Sequence, residues 1–151
     1  MIDLKIEYLS NYNYELWGPL KYARKGDACF DLRAAINGAK ILYGNAGIMK
    51  VPTGIIAEIP EGYEMRISPR SGMAAKYGIS MVNTPGVVDS YYRDEISIIL
   101  INHGTENFVI APGMRIGQAK ISIVPAVNIV KVDSIDMHNN RGGGFGHTGD
   151  Y

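Results

Sequence analysis

Apolar residues recur along this chain with a period of two, in short runs broken by turn formers, and that pattern admits strands and little else. Ile2, Leu4, Ile6 and Tyr8 alternate with Asp3, Lys5 and Glu7, which predicts a strand with one wet face and not a signal peptide. Tyr63, Met65 and Ile67 alternate with Glu64, Arg66 and Ser68, and residues 54–59, 96–101 and 115–124 are further β-type runs. Turn signals at 60–62, 102–107 and 111–113 separate them, a spacing that suits a sandwich, jelly roll or barrel. The prediction is an all-β domain over residues 1–140. One segment breaks the rule: in SGMAAKYG, Ser71 is an expected N-cap, Met73 to Tyr77 favour a helix and Gly78 stops it. Residues 141–151 carry five glycines and are predicted to form a flexible C-terminal arm.

Bulk properties narrow the function. A chain of 151 residues with 46% hydrophobic content has room for one cored domain. The single cysteine, Cys29, excludes an intrachain disulfide and fits a reducing, cytoplasmic setting, and no Cys/His cluster has zinc spacing. No apolar run is long enough for a membrane span, and a formal net charge of zero lacks the footprint of a nucleic-acid binder. An anionic ligand must therefore be met locally.

Three places carry the chemistry. In NTPGVVDSYYRDE (83–95), turn formers precede an acid and two tyrosines, and the run ISIILI follows. This predicts a hairpin in which Val87 and Val88 press on apolar neighbours, Asp89 positions a water and Tyr92 offers a flat face; Asp89 as a simple turn cap fits the same residues. Pro69, Arg70, Ser71 and Gly72 lie where a strand passes into the helix, so a hydroxyl, free amides and a guanidinium converge on a spot that attracts phosphate. A capped helix with a surface arginine is the other account. In GMRIGQAK, alternation puts Gln118 on a face with Ile116 and Lys120, and a half-buried Gln needs partners. Asp31, between Phe30 and Leu32, is drawn toward the core and needs a partner as well. His103, His138 and His147 lie in loop-like sequence and are expected to be solvated. Residues 11–20 (NYNYELWGPL) read as a loop that tucks Trp17 onto the domain, or as an interaction patch.

Five blocks in order, DACFDLRAA, PRSGMAAKYGI, NTPGVVDSYYRDEI, GMRIGQAKI and RGGGFGHTG, resemble the five motifs of the trimeric all-β dUTPases. The resemblance spans residues 26–149 and implies a jelly-roll subunit of a homotrimer with shared active sites. The implied reaction splits dUTP into dUMP and pyrophosphate, limiting uracil incorporation into DNA and supplying dUMP for dTTP synthesis. A dCTP deaminase relative on the same fold, or a nucleotide-gated regulatory protein, are the alternatives.

Carried over residue by residue, the resemblance implies that Asp89 activates the water and Tyr92 stacks on the deoxyribose. Asn83, Gly86 and Val88 would read the uracil edge. Arg70, Ser71, Gly72 and Gln118 would hold the phosphates. Asp31 would place, through water, a Mg2+ held mainly by those phosphates. Arg141, Phe145 and Gly146 would close over the site. Four departures from the family pattern stand out: Cys29 and Asp94 replace glycines, Gly117 replaces a common alanine, and in the tail Arg141 and Phe145 stand one residue closer than usual, with His147 where a small residue is customary. Asp94 is expected at positive φ, which Asp tolerates better than most residues.

Overall fold

The computed structural model describes residues 2–143. In chain order run β1 (Lys5–Tyr8), α1 (Tyr14–Trp17), β2 (Phe30–Arg33), β3 (Lys40–Leu42), β4 (Gly47–Pro52), β5 (Ile55–Glu58) and β6 (Tyr63–Ser68). Then come α2 (Ser71–Tyr77), β7 (Ile79–Met81), β8 (Gly86–Val88), β9 (Ser97–Asn102), β10 (Phe108–Ile110) and β11 (Arg115–Ile123). Every pairing is antiparallel. The sheets are β2-β11-β6-β8, β4-β9-β7, β1-β5 and β10-β3. This is the all-β jelly-roll class, with the sheets staying separate among the described residues.

Alternation places the core. In β9, Ile98, Leu100 and Asn102 point inward, and in β6 Met65 and Ile67 do so, meeting Leu32, Leu42 and Ile55 from other strands. Each such aliphatic side chain contributes about 1.5–3 kcal/mol on burial. Asn102, fully buried, is tolerated because its amide donates to the carbonyls of Leu42 (3.2 Å) and Glu106 (2.9 Å) and its oxygen accepts from the Gly104 amide (2.9 Å). It pins the 102–107 turn.

Three expectations change. The stretch 83–101 is not a hairpin: β8 pairs with β6, while β9 lies between β4 and β7, so the chain crosses from one sheet to the other. Alternation reveals a strand but not its partner. Second, Arg70, not Ser71, holds the cap position of α2, with extended φ −84° and ψ 129° and no side-chain cap, and Ser71 opens the helix. Gly78 does end it, at φ 67° and ψ 20°. Third, a second helix exists: α1, one turn long, is capped by the Asn13 side chain accepting from the Leu16 amide at 3.0 Å. It presses Trp17 edge-on against Tyr12 and over Gly113, where a Cβ would come within 2.4 Å of the indole nitrogen. Trp17 is therefore tucked inward as expected, on a helical turn instead of a loop. Burial raises the Tyr12 phenol above its ordinary 10.0, and its hydroxyl donates to the Gly18 carbonyl at 2.8 Å.

The last strand ends at Ile123, and residues 124–143 follow outside any helix or strand. Val127, Ile129 and Ile135 of this segment stand 84%, 96% and 72% exposed.

Candidate active site

β8 enters through a turn with a cis Thr84-Pro85 bond and delivers Asp89 to the start of a second turn, closed by the Tyr92 amide donating to the Asp89 carbonyl at 3.2 Å. Val87, Val88, Asp89, Tyr92, Ile96 and Ser97 line a cavity of about 220 Å³ at this place. Val88 is half-buried against the core; Val87, expected to press inward, alternates outward and is exposed. The Asp89 carboxylate is open to solvent and has no hydrogen-bond donor among the described residues. Tyr92 is also exposed, its hydroxyl donating to the Glu95 carbonyl at 3.3 Å. A Cβ on buried Gly86 would meet Met81 Cε at 3.3 Å and the Asn83 amide nitrogen at 3.6 Å, so glycine keeps open the space beside Asn83.

The turn is anchored by Glu95, which sequence reading passed over. Its Oε1 accepts from Asn11 Nδ2 and from the Gly54 amide, both at 2.8 Å. Gly54 has φ +70°, and a Cβ there would lie 2.8 Å from Ala35 Cβ. A lone Glu after an Asp carries no sequence signal for such a role. Asp94 is not at positive φ: among the described non-glycine residues only Asn45 and Ala46 are. The turn here does not demand a left-handed residue, so Asp94 fits without strain.

A second cluster gathers Asp31, Arg70, Ser71, Gly72, Arg115 and Gln118. Asp31 is not drawn into the core, since β2 alternates and turns it away from the buried Phe30 and Leu32, yet it is paired: Arg70 Nε lies 3.0 Å from one carboxylate oxygen and Arg115 Nη1 3.1 Å from the other. Gln118 donates to the Pro69 carbonyl at 3.0 Å, which fixes its amide beside the entrance to α2. The amides of Met73 and Ala74 bond the Arg70 carbonyl, leaving those of Ser71 and Gly72 at the open end of the helix. Ser71 and Gly72 are both exposed, with nothing near Gly72 that a Cβ would touch. Gln118 and Ile116 do not share a face, because β11 carries a register shift between Arg115 and Gly117 that turns Ile116 inward. The same shift brings in Arg115, whose partnership with Asp31 strict alternation concealed.

The two clusters flank one strand end: Gly86 pairs with Ile67 of β6, and Gln118 with Ser68. They open into different cavities, since Asp31 and Gln118 line one of about 290 Å³ together with Cys29. Arg141 is exposed in the terminal segment and lines neither cavity, while Phe145 and Gly146 lie outside the described residues. His103 and His138 are exposed, as expected; His147 lies outside the described residues.

Asp31 also bears on the metal expectation. No group of three or more His, Cys, Asp or Glu able to hold an ion occurs among the described residues. Both Asp31 oxygens face a guanidinium, which suits an outer contact through water better than direct coordination. Mg2+ keeps several of its waters and is commonly brought in by phosphates, so this donor set fits an ion that arrives with its ligand.

Fold and site together define an all-β domain that sets an acid-and-tyrosine pocket and a cluster of one aspartate with two arginines on either side of one strand end. The dUTPase family model matches residues 17–149, and the chain belongs to the dUTPase family. It is 49% identical over 131 residues to the deoxyuridine 5'-triphosphate nucleotidohydrolase of Chlamydia pneumoniae, covering 85% of this chain and 89% of that one. The enzyme of the same name from Fusobacterium nucleatum is 44% identical over 129 residues, covering 85% and 88%. In fold, the chain resembles a mutant Staphylococcus bacteriophage 80alpha dUTPase with dUpNHpp (TM-score 0.83, 20% identity, 99% of each chain). It also resembles a dUTPase from S. aureus phage phi11 described with a structural Mg(II) ion (TM-score 0.76, 18% identity, 89% of this chain and 99% of that one).

Proposed function

We infer that the protein is a dUTP diphosphatase, hydrolysing dUTP to dUMP and pyrophosphate. Family membership supports the reaction, and one observation carries its assignment to residues: Asp89 presents an uncommitted carboxylate at the rim of the cavity that Tyr92 also lines. Asp89 orients the attacking water and takes up its proton, while pyrophosphate leaves as the bond between the α and β phosphates breaks. Tyr92 stacks on the deoxyribose and crowds out a 2'-hydroxyl. Asn83 and the backbone at Gly86 and Val88 read the uracil edge. Arg70, Ser71, Gly72 and Gln118 grip the phosphates, and Arg141 with Phe145 and Gly146 closes over the site, Arg141 on the terminal phosphate and Phe145 over the uracil ring. Phosphate hydrolysis leaves a protein mainly positioning and charge stabilisation, which this set supplies.

Mg2+ is proposed as the cofactor, with Asp31 its outer contact; bound to the phosphates it neutralises their charge during cleavage. We also propose a homotrimer in a cytoplasmic setting. Support for the assembly is that the base-side and phosphate-side clusters open into separate cavities of one chain, and that residues 124–143 present bare apolar side chains that a neighbouring copy would cover. No helix of the described residues is long and apolar enough to cross a membrane. The deaminase alternative is not favoured, since the matching family and the named relatives are dUTPases.

Asp89→Asn tests the assignment. The amide keeps the shape but loses the basic oxygen, so turnover should fall by about two to four orders of magnitude while dUTP binding persists. Near-normal turnover would remove Asp89 from the mechanism.

A further inference from the structure

Arg115 has no part in the roles above, yet it is bound to two residues that do. Its Nη1 donates to Asp31 Oδ2 at 3.1 Å. Arg70 Nε holds the other oxygen of Asp31 at 3.0 Å, and Arg70 Nη1 donates to the Arg115 carbonyl at 3.2 Å. Three segments meet in this knot: β2 through Asp31, the junction of β6 and α2 through Arg70, and the start of β11 through Arg115.

An unbroken strand would not allow it. Residues 115 and 118 are three apart, so regular alternation puts them on opposite faces. Opposite β2, however, Arg115 pairs with Arg33, Gly117 with Leu32 and Gln118 with Asp31, so Ile116 is an extra residue. The bulge returns Arg115 to the face of Gln118 and Asp31, the kind of re-aiming for which bulges occur beside functional sites.

We propose that Arg115 is a positioning residue for the triphosphate: it holds Asp31 and, through Asp31 and its own carbonyl, fixes the guanidinium of Arg70. The inference rests on the dUTP reading and deepens it. With Nε and Nη1 engaged, Arg70 has its remaining N–H groups aimed before the ligand arrives, so less side-chain freedom is lost on binding. Stability is not the purpose of the knot. The side chains of Arg115 and Asp31 are 48% and 26% exposed, and ion pairs so open to water contribute little to folding.

The test compares Arg115→Gln, Arg70→Gln, the double variant and Arg115→Lys, assayed with dUTP and Mg2+, with deoxyuridine as a competitive inhibitor that lacks phosphates. Arg115→Gln should raise KM for dUTP by about tenfold, the size of one lost charge-assisted hydrogen bond, with a smaller change in kcat. Deoxyuridine inhibition and Tm should hold. The double variant should be no worse than Arg70→Gln within about twofold, because Arg115 acts through Arg70. Arg115→Lys should recover most of the loss, since only one nitrogen reaches Asp31. A KM unchanged by Arg115→Gln would overturn the proposal. So would losses that multiply in the double variant, the mark of a direct phosphate contact, or a fall in Tm and deoxyuridine affinity together with KM, the mark of a merely structural role. Failure of the underlying reading shows separately, as unaltered protein that does not turn over dUTP, and takes the proposal with it.

Discussion

Tyr92 illustrates what one residue decides. Its ring is exposed on the rim of the Asp89 cavity and its hydroxyl is tied to the Glu95 carbonyl, so under the proposed role the ring would meet a bound sugar in one orientation. Sugar choice then follows from packing: the unaltered protein should prefer dUTP to UTP, and Tyr92→Ala should narrow that preference in kcat/KM by at least roughly tenfold. Equal hydrolysis of UTP by the unaltered protein would refute the assignment. At this scale the sequence is only partly readable. Asp31 has charged partners, two arginines, but β2 alternates and sets it on the face opposite the buried Phe30 and Leu32, so the core did not force the pairing. Glu95 and Arg115 were not legible because their importance comes from what the fold brings near them: Asn11 and Gly54 for one, a bulge-shifted Asp31 for the other.

Elements were legible by type and less so by connection. Period-two alternation marks β6, β-type runs mark β9 and β11, and Gly78 marks the end of α2, because side-chain type and backbone conformation are local properties. The pairing of β8 with β6 and the bulge in β11 depend on long-range register, to which local alternation is blind. That bulge also accounts for Gly117. A Cβ there would lie 2.6 Å from Ile98 Cδ1, so in this chain isoleucine occupies the room an alanine would need. Gly117→Ala should therefore destabilise by about 1 kcal/mol or more through overpacking, and Ile98→Val, which removes the Cδ1 methyl, by about 0.5–1.5 kcal/mol. Denaturant unfolding of the double variant should show a loss clearly below the sum of the two. Strict additivity would mean that the contact is not the constraint.

On the scale of the whole molecule, one chain holds the parts of a site without joining them. The Asp89 and Asp31 clusters flank β6 but open into separate cavities, neither of which Arg141 lines. Residues 124–143 meanwhile expose Val127, Ile129, Val130 and Ile135. The proposed trimer would resolve both features. Light scattering should give three chains per particle at assay concentration, and replacing Val127, Ile129 and Val130 by serine should shift the mass toward monomer and lower activity in step. A fully active monomer would exclude shared sites.

The reaction itself is the claim on which the residue assignments depend. Incubating the unaltered protein with dUTP, dCTP, dTTP and UTP in the presence of Mg2+, and scoring pyrophosphate and ammonia separately, tests it most directly. Pyrophosphate released from dUTP far faster than from the other three, with no ammonia from dCTP, is the predicted result; ammonia from dCTP, or no pyrophosphate from dUTP, would contradict it.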